Sequence, residues 1–286
     1  MKTIITEQRF DRERALYHIT DAEIRDCVFA GPADGESALK ESRRVTVRRC
    51  SFSLRYPLWH ADGYTVIDST MDELTRAPIW YARNGRIENS RIRGVKCLRE
   101  CDHTVIAGTE IVSPECGWRC RDLTITDSIV ESEYFLFESR RVTVDRLRMR
   151  GKYSFQYVED MVIRDSVLDT KDAFWHSQNV RVENSTVKGE YLGWFSEGLT
   201  LVNCHIVGTQ PFCYCRNLTL IDCTMEDTDL SFEYSDVDAT VKGSILSIKN
   251  PHSGHITADH IGEVIYEDSI LTSTCKITER KMCAFS

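Results

Sequence analysis

One pattern of apolar and polar positions recurs along this chain: apolar-x-apolar-x-x-(Ser/Cys)-x-apolar. It reads AEIRDCVF at 22–29, VTVRRCSF at 45–52, YTVIDSTM at 64–71 and GRIENSRI at 85–92. It returns as LTITDSIV (123–130), VTVDRLRM (142–149), MVIRDSVL (161–168), VRVENSTV (180–187), LTLVNCHI (199–206) and LTLIDCTM (218–225). Weaker copies are HTVIAGTEI (103–111), ATVKGSIL (239–246) and VIYEDSIL (264–271). Measured at the Ser/Cys position, the copies stand at 27, 50, 69, 90, 108, 128, 147, 166, 185, 204, 223, 244 and 269, and six of the twelve intervals are 19 residues. Alternation with period two marks a strand with one buried face, and repetition at a fixed period marks a solenoid.

No copy contains a stretch with the 3.6-residue period of a helix, so each strand must reach the next by coiling. Stacked coils place equivalent strands about 4.8 Å apart in a parallel sheet. Leucine-rich repeats share an LxLxxC phrase but need further leucines upstream, where this chain is aromatic. Hexapeptide and pentapeptide solenoids need sub-periods that are absent. The predicted fold is all-β: a single-stranded right-handed parallel β-helix of about 13 coils of about 19 residues. A single domain is expected, with an N-terminal cap at 1–21, regular coils at 22–235, and irregular coils and a cap at 236–286.

Stacking turns sequence positions into columns. The Ser/Cys column (Cys27, Cys50, Ser69, Ser90, Ser128, Ser166, Ser185, Cys204, Cys223, Ser244, Ser269) is small and should line the inside of a bend. Before it runs an Asx-rich column (Asp26, Asp68, Asn89, Asp127, Asp165, Asn184, Asn203, Asp222, Asp268), whose side chains suit left-handed turning backbone. A second strand is expected about ten residues before each landmark. One column there holds Tyr17, Lys40, Trp59, Trp80, Leu98, Trp118, Phe137, Gln156, Trp175, Trp194, Cys213 and Tyr234, which includes all five tryptophans. The preceding column (Leu16, Leu39, Leu58, Ile79, Cys97, Gly117, Leu136, Phe155, Phe174, Gly193, Phe212) is apolar and should be buried. The following one holds His18, Glu41, His60, Tyr81, Arg99, Arg119, Glu138, Tyr157, His176, Phe195 and Tyr214. Two dispositions of the tryptophans stay open: an internal stack, or, given a bend, an outward face.

The 286 residues carry a formal charge of -8, with 44 acidic against 36 basic side chains. That balance disfavours nucleic acid and anionic membrane surfaces. The start, MKTIITEQRFDRERALYHIT, has no apolar signal-peptide core, and no apolar run is long enough to span a bilayer. A cytoplasmic protein is expected, with the twelve cysteines as reduced, mostly buried thiols. Cys97, Cys101, Cys116 and Cys120 fall on neighbouring coils but lack a CxxC pair, so neither a metal nor another cofactor is expected.

Outward-facing aromatic rings with charged neighbours make a ligand-binding strip, and the candidates are Trp59, His60, Trp80, Tyr81, Arg99, Trp118, Gln156, Tyr157, Trp175, His176 and Trp194. Acid–base candidates are His60, His176 and Glu138, together with two carboxylate pairs expected on adjacent coils, Glu115 with Glu133 and Asp172 with Glu190, the latter near Lys152 and Lys171. Mixed charges at such positions more often form surface ion pairs than catalytic pairs, and the carboxylates of the Asx column are structural by default.

The coil repeat resembles the pectate-lyase-like superfamily of right-handed β-helices. The phrases RERALY (12–17), DGESALKES (34–42), YPLWH (56–60), RAPIWY (76–81), GKYSFQY (151–157), TKDAFWH (170–176), GEYLGWF (189–195) and GTQPFCYC (208–215) are similar to an uncharacterised bacterial family of that fold. The resemblance implies the fold and a cytoplasmic bacterial origin, and it brings no activity. The NTD, DD, GHG and RIK motifs of polygalacturonase-like hydrolases are missing; Gly254-His255-Ile256 and Arg91-Ile92-Arg93 are the nearest fragments and lie on distant coils. Two readings follow. The chain binds or modifies an oligosaccharide or other sugar-like ligand (as a hydrolase, lyase or epimerase, if an enzyme), or it is a scaffold or oligomerisation module with a protein-binding face, for which a homo-oligomer is the simplest partner.

Overall fold

The structure, a computed structural model, describes residues 2–31 and 35–280. Met1, Asp34 of the DGESALKES phrase and positions 281–286 of the expected C-terminal cap lie outside the described residues. The fold is a right-handed parallel β-helix without an α-helix among the described residues. The chain divides into two compact units, Met1–Arg148 and Met149–Ser286.

In the first unit, parallel strands Thr3–Thr6, Thr20–Arg25, Arg43–Arg48, Asp62–Ile67, Arg83–Glu88, Asp102–Ala107, Arg121–Thr126 and Arg140–Asp145 stack in sequence order. A 19-residue step separates register partners such as Leu123 and Val142. A second file of short strands begins directly after the Ser/Cys landmark, for example Ser51–Phe52 on Thr70–Met71. The repeated phrase is therefore two strands joined at a corner. A third file, Leu58–Trp59, Ile79–Trp80, Lys96–Arg99, Glu115–Trp118 and Tyr134–Phe135, forms the expected aromatic strands. In the second unit the first file runs Glu159–Arg164, Gln178–Glu183, Thr200–Val202, Leu218–Glu226, Asp236–Lys242, Ser253–Ala258 and Lys276–Glu279. There the aromatic segments are turns rather than strands, a departure from expectation, although Phe174 N–H still donates to Ser154 O and Gly193 N–H to Ala173 O on neighbouring coils.

Corners are made by residues with positive φ. Asp26, Asp68, Asn89, Asp127, Asp165, Asn184, Asn203 and Asp222 all have φ between 46 and 53°. Asp and Asn tolerate this region best, and no Val, Ile or Thr adopts it among the described residues. At two corners an arginine takes the Asx place, Arg49 and Arg146, and reaches back as a fork onto the Asp one coil earlier, Asp26 and Asp127.

Inside each corner the Ser/Cys column forms a hydrogen-bonded ladder. Cys50 N–H donates to Ser69 Oγ at 3.1 Å, Ser69 N–H to Ser90 Oγ at 3.2 Å, and Ser166 N–H to Ser185 Oγ at 3.0 Å. Each hydroxyl in turn donates to the carbonyl two residues before it. Small side chains are required because the atom that fills the corner also takes up an otherwise orphaned amide. A second ladder follows the aromatic segment: Cys120 N–H donates to Ser139 Oγ and Cys215 N–H to Ser235 Oγ. The core between them is filled by columns such as Ile24, Val47, Val66, Ile87, Ile106 and Ile125 in the first unit, and by stacked rings, Phe29 on Phe52 at 4.4 Å and, in the second unit, Phe155 on Phe174 at 4.9 Å.

Three register expectations change. Thr109, not Gly108, accepts from Ser90 N–H, so the fifth coil is shifted by one. Arg99 consequently pairs with Trp80 and Trp118 in the tryptophan column, while Leu98, in place of Cys97, holds the buried position before it. Ser244 and Ser269 are exposed, and 264–271 is not a coil-face strand; Ser253–Ala258 takes that role, packed between Asp236–Lys242 and Lys276–Glu279.

Candidate functional site

The aromatic segment bends twice. In the second unit Phe155, Phe174 and Phe212 have φ of 60 to 63°, and Tyr157, His176, Phe195 and Tyr214, two residues on, have φ of 54 to 60°. Between two left-handed residues, strict alternation fails. The column before the tryptophans is buried, save a half-buried Leu16; the tryptophans are half-buried; the following column is largely exposed.

The rings stack on one another, and this limits what they can offer. In the first unit Lys40 Nζ lies 4.3 Å from the Trp59 ring, Trp59 and Trp80 stack at 5.9 Å and 14°, and the Arg99 guanidinium lies 6.0 Å from Trp80 and 5.0 Å from Trp118. His60 stacks on Tyr81 at 5.0 Å. In the second unit Trp175 and Trp194 stack at 5.5 Å and 7°, beside a parallel file of Tyr157, His176, Phe195 and Tyr214 at 4.8 to 5.0 Å. Rings whose faces cover one another present edges to solvent, so a platform for successive sugar rings is not what this arrangement makes. Lys40 and Gln156 are accommodated without being core residues: Lys40 caps a ring, and Gln156 Nε2 donates to Asp172 O at 3.1 Å.

Indole N–H groups tie coils together. Trp118 donates to Tyr134 O, Trp175 to Tyr191 O and Trp194 to Gln210 O, at 3.0, 2.6 and 2.9 Å. In each case the acceptor lies sixteen residues on. Trp59 and Trp80 have no such partner among the described residues.

The charged candidates are mostly spoken for. Glu138 pairs with Arg119 at 2.7 Å, and Glu115 with Arg99 at 3.2 Å. Glu115 lies opposite Tyr134, not Glu133, so those two carboxylates do not form a pair; Glu133 is exposed. Glu190 meets Lys171 at 2.6 Å. A cleft of 390 Å³ in the first unit is lined by Glu41, Arg43, His60, Asp62, Tyr81 and Arg83. Its carboxylates are already satisfied: Glu41 by His18 and Tyr17, Asp62 by Asn84 and Arg83, and these partners hold both below the usual carboxylate range.

Asp172 differs from all of these. It is 7% exposed, and its carboxylate receives no hydrogen bond from any described residue. Burial raises its pKa above the ordinary aspartate value, against the pull of Lys171 and Lys152. It lines a cleft of 350 Å³ with Lys152, Tyr153, Lys171, Trp175, Tyr191 and Trp194. The cleft has a sequence cause. Tyr153, Asp172 and Tyr191 hold the same position on three successive coils, so Asp172 stands where the coils on either side carry tyrosine. Two coil spacings, about 9.6 Å, separate the backbones carrying the tyrosines. The missing ring leaves a slot with aromatic walls and a carboxylate floor. Tyr191 stands edge-on to Trp194 at 5.4 Å, while Lys171 lies 5.3 Å from Tyr191 and Lys152 4.5 Å from Tyr153.

Of the expected site residues, the slot gathers Asp172, Trp175 and Trp194, and Gln156 bonds to the backbone carbonyl of Asp172. Tyr157 and His176 lie on the adjacent ring file, and Trp59, His60, Trp80, Tyr81, Arg99 and Trp118 belong to the first unit. Tyr153 and Tyr191 were not among the expected residues. The signal for them lay in the parallel phrases GKYSFQ and GEYLGW, which put tyrosine three places before the column residue.

Among the described residues, Asp102, His103 and Asp122 are the one group of three metal-ligating side chains within 4.8 Å, and Arg141 already forks onto Asp122. Cys97, Cys101, Cys116 and Cys120 are free buried thiols. No described helix is long and apolar enough to cross a membrane.

A family model described as a protein of unknown function, DUF3737, matches residues 3–278. The chain belongs to that family. A search of curated proteins finds no match for this DUF3737 chain. Among solved structures it is similar to PfbA, a surface adhesin of Streptococcus pneumoniae, at 8% identity over 76% of this chain and 84% of that one, with a TM-score of 0.43. The A-module of the Azotobacter vinelandii mannuronan C-5 epimerase AlgE4 is similar at 11% identity over 85% and 91%, with a TM-score of 0.34. The catalytic domain of a GH87 α-1,3-glucanase, solved with tetrasaccharides, is similar at 9% identity over 96% and 63%, with a TM-score of 0.34. Likeness at this level carries nothing about the DUF3737 chain's ligand.

Proposed function

We propose that this protein binds a sugar-like ligand in the slot formed by Tyr153, Asp172 and Tyr191, against the edges of Trp175 and Trp194. The observation that carries the reading is the floor: a nearly buried carboxylate without a hydrogen-bond partner, facing an aromatic-walled cleft. Burial opposes ionisation of this acid, and groups perturbed in this way concentrate where a ligand binds. Sugars suit the slot because they present apolar C–H faces to aromatic groups and hydroxyl donors to a carboxylate. Binding, rather than turnover, is the better-supported reading. The second carboxyl group that glycoside cleavage needs would be Glu190, and Lys171 holds it at 2.6 Å.

A cytoplasmic location forms part of the proposal, supported by eleven described cysteines without a disulfide among them. A protein-binding scaffold is the second reading, favoured by the exposed edges of Tyr157 and Phe195 in the neighbouring ring file. Thermal shift against a panel of oligosaccharides separates the two. The sugar reading expects a raised melting temperature that disappears in Tyr191→Ala and persists in Phe195→Ala. A flat response to every sugar defeats it.

A further inference from the structure

Resting on that sugar reading, we infer that the slot is built for an uncharged sugar, which Asp172 holds in its ionised form through a pair of neighbouring hydroxyls, and that Asp172 excludes uronates. Charge bookkeeping supports this. Besides the two tyrosines, the titratable side chains at the cleft are Lys152, Lys171, Asp172 and the adjacent Glu190, two acids and two bases. The lysines are engaged: Lys171 with Glu190 at 2.6 Å and over the Tyr191 ring, Lys152 over the Tyr153 ring. They do not present an open cationic pair to an acidic sugar.

Asp172 lines the cleft at 7% exposure, and no described residue donates a hydrogen bond to its carboxylate. A carboxylate is an acceptor-only group with two oxygens, and vicinal hydroxyls supply two donors at matching separation. A ligand carboxylate placed against it would set two like charges together in a partly dry cleft. Burial opposes the ionised form of Asp172, and Lys171 and Lys152 favour it. Tyr153 and Tyr191 contribute the walls of the cleft.

The test is calorimetric titration with matched neutral and uronate tetrasaccharides of the galacto, gluco and manno series, on the full chain and on Asp172→Asn. Asn tolerates the positive φ of 50° at this position, so the variant should fold, and its melting curve checks that it does. The expected result is that at least one neutral tetrasaccharide binds better than its uronate partner by tenfold or more. Asp172→Asn should weaken the neutral ligand about 10- to 100-fold, the effect of losing a hydrogen bond to a charged group, and narrow the neutral-to-uronate gap. Wild-type affinity should fall as pH drops through the titration of Asp172, and that pH dependence should vanish in the variant; a merely structural role leaves it in place. Uronates binding better than neutral partners overturn this inference and leave the sugar reading standing. If no tetrasaccharide of either kind binds, the sugar reading falls and this inference with it.

Discussion

Replacing Ser69 by alanine tests the corner ladder at its most exposed assumption, that the small column is there for bonding as well as for space. Ser69 is 2% exposed. Its hydroxyl accepts from Cys50 N–H at 3.1 Å and donates to Ile67 O at 2.8 Å. The two losses are unequal. Ile67 O keeps a second donor, Arg49 N–H at 3.0 Å, whereas Cys50 N–H faces the corner with no other described acceptor. One buried amide is left without a partner, at a cost of about 1–3 kcal/mol. Alanine removes one heavy atom, so the cavity contribution is small beside this. Ser69→Cys should cost under about 1 kcal/mol, because sulfur still accepts, weakly, as Cys50 Sγ does from Cys27 N–H at 3.4 Å. Urea denaturation gives the stability change, and hydrogen exchange at the Cys50 amide localises it. If Ser69→Ala changes stability by less than about 0.5 kcal/mol with Cys50 still protected, the ladder is not a source of stability and the small side chains serve only to fit the corner.

Phe174, fully buried and stacked on Phe155, should cost about 3–5 kcal/mol when cut to alanine, with exchange protection lost across the coils around residues 154–215. Asn184 sits at φ 50°, so Asn184→Val should be at least about 1 kcal/mol less stable than Asn184→Gly, both having lost the amide bond from Asn203; equal melting temperatures would contradict the corner geometry. Asp172→Asn should stabilise the free protein at neutral pH. The folded protein holds this proton to a higher pH than the unfolded chain does, so wild-type stability falls as pH rises from near 3.8 through the raised value. Melting curves of the two proteins should converge at low pH and separate above it, and an Asp172→Asn protein less stable at pH 7 would count against an unpartnered floor.

The solenoid was legible because its determinants are local and repeated: period-two alternation, a small landmark and an Asx before it, recurring at 19 residues. Positive φ along the Asx column follows from side-chain chemistry that the chain states openly. Other features depend on relations between coils. The one-residue shift at Leu98 and Arg99 has only a weak local signal, since a landmark at Thr109 sets Ile106 and Ile111 at apolar places where Gly108 would set Val105 and Glu110; pairing with Trp80 and Trp118 decides it. The set of Trp118, Trp175 and Trp194 required a left-handed residue on either side, at side chains as bulky as Phe174 and His176, where intrinsic preference argues the other way. Trp175, Trp194 and Asp172 could be singled out from sequence, but the slot that joins them is made by a tyrosine that is missing, and a vacancy in a column appears only once the neighbouring coils are aligned.

The central claim is that ligand binding belongs to the Asp172 slot and not to the tryptophan column at large. Fluorine NMR of protein carrying 5-fluorotryptophan, assigned by single Trp→Phe variants and titrated with neutral tetrasaccharides, tests this most directly. Only the Trp175 and Trp194 resonances should move with ligand concentration. Movement of Trp59, Trp80 or Trp118 with Trp175 and Trp194 unchanged would contradict the account.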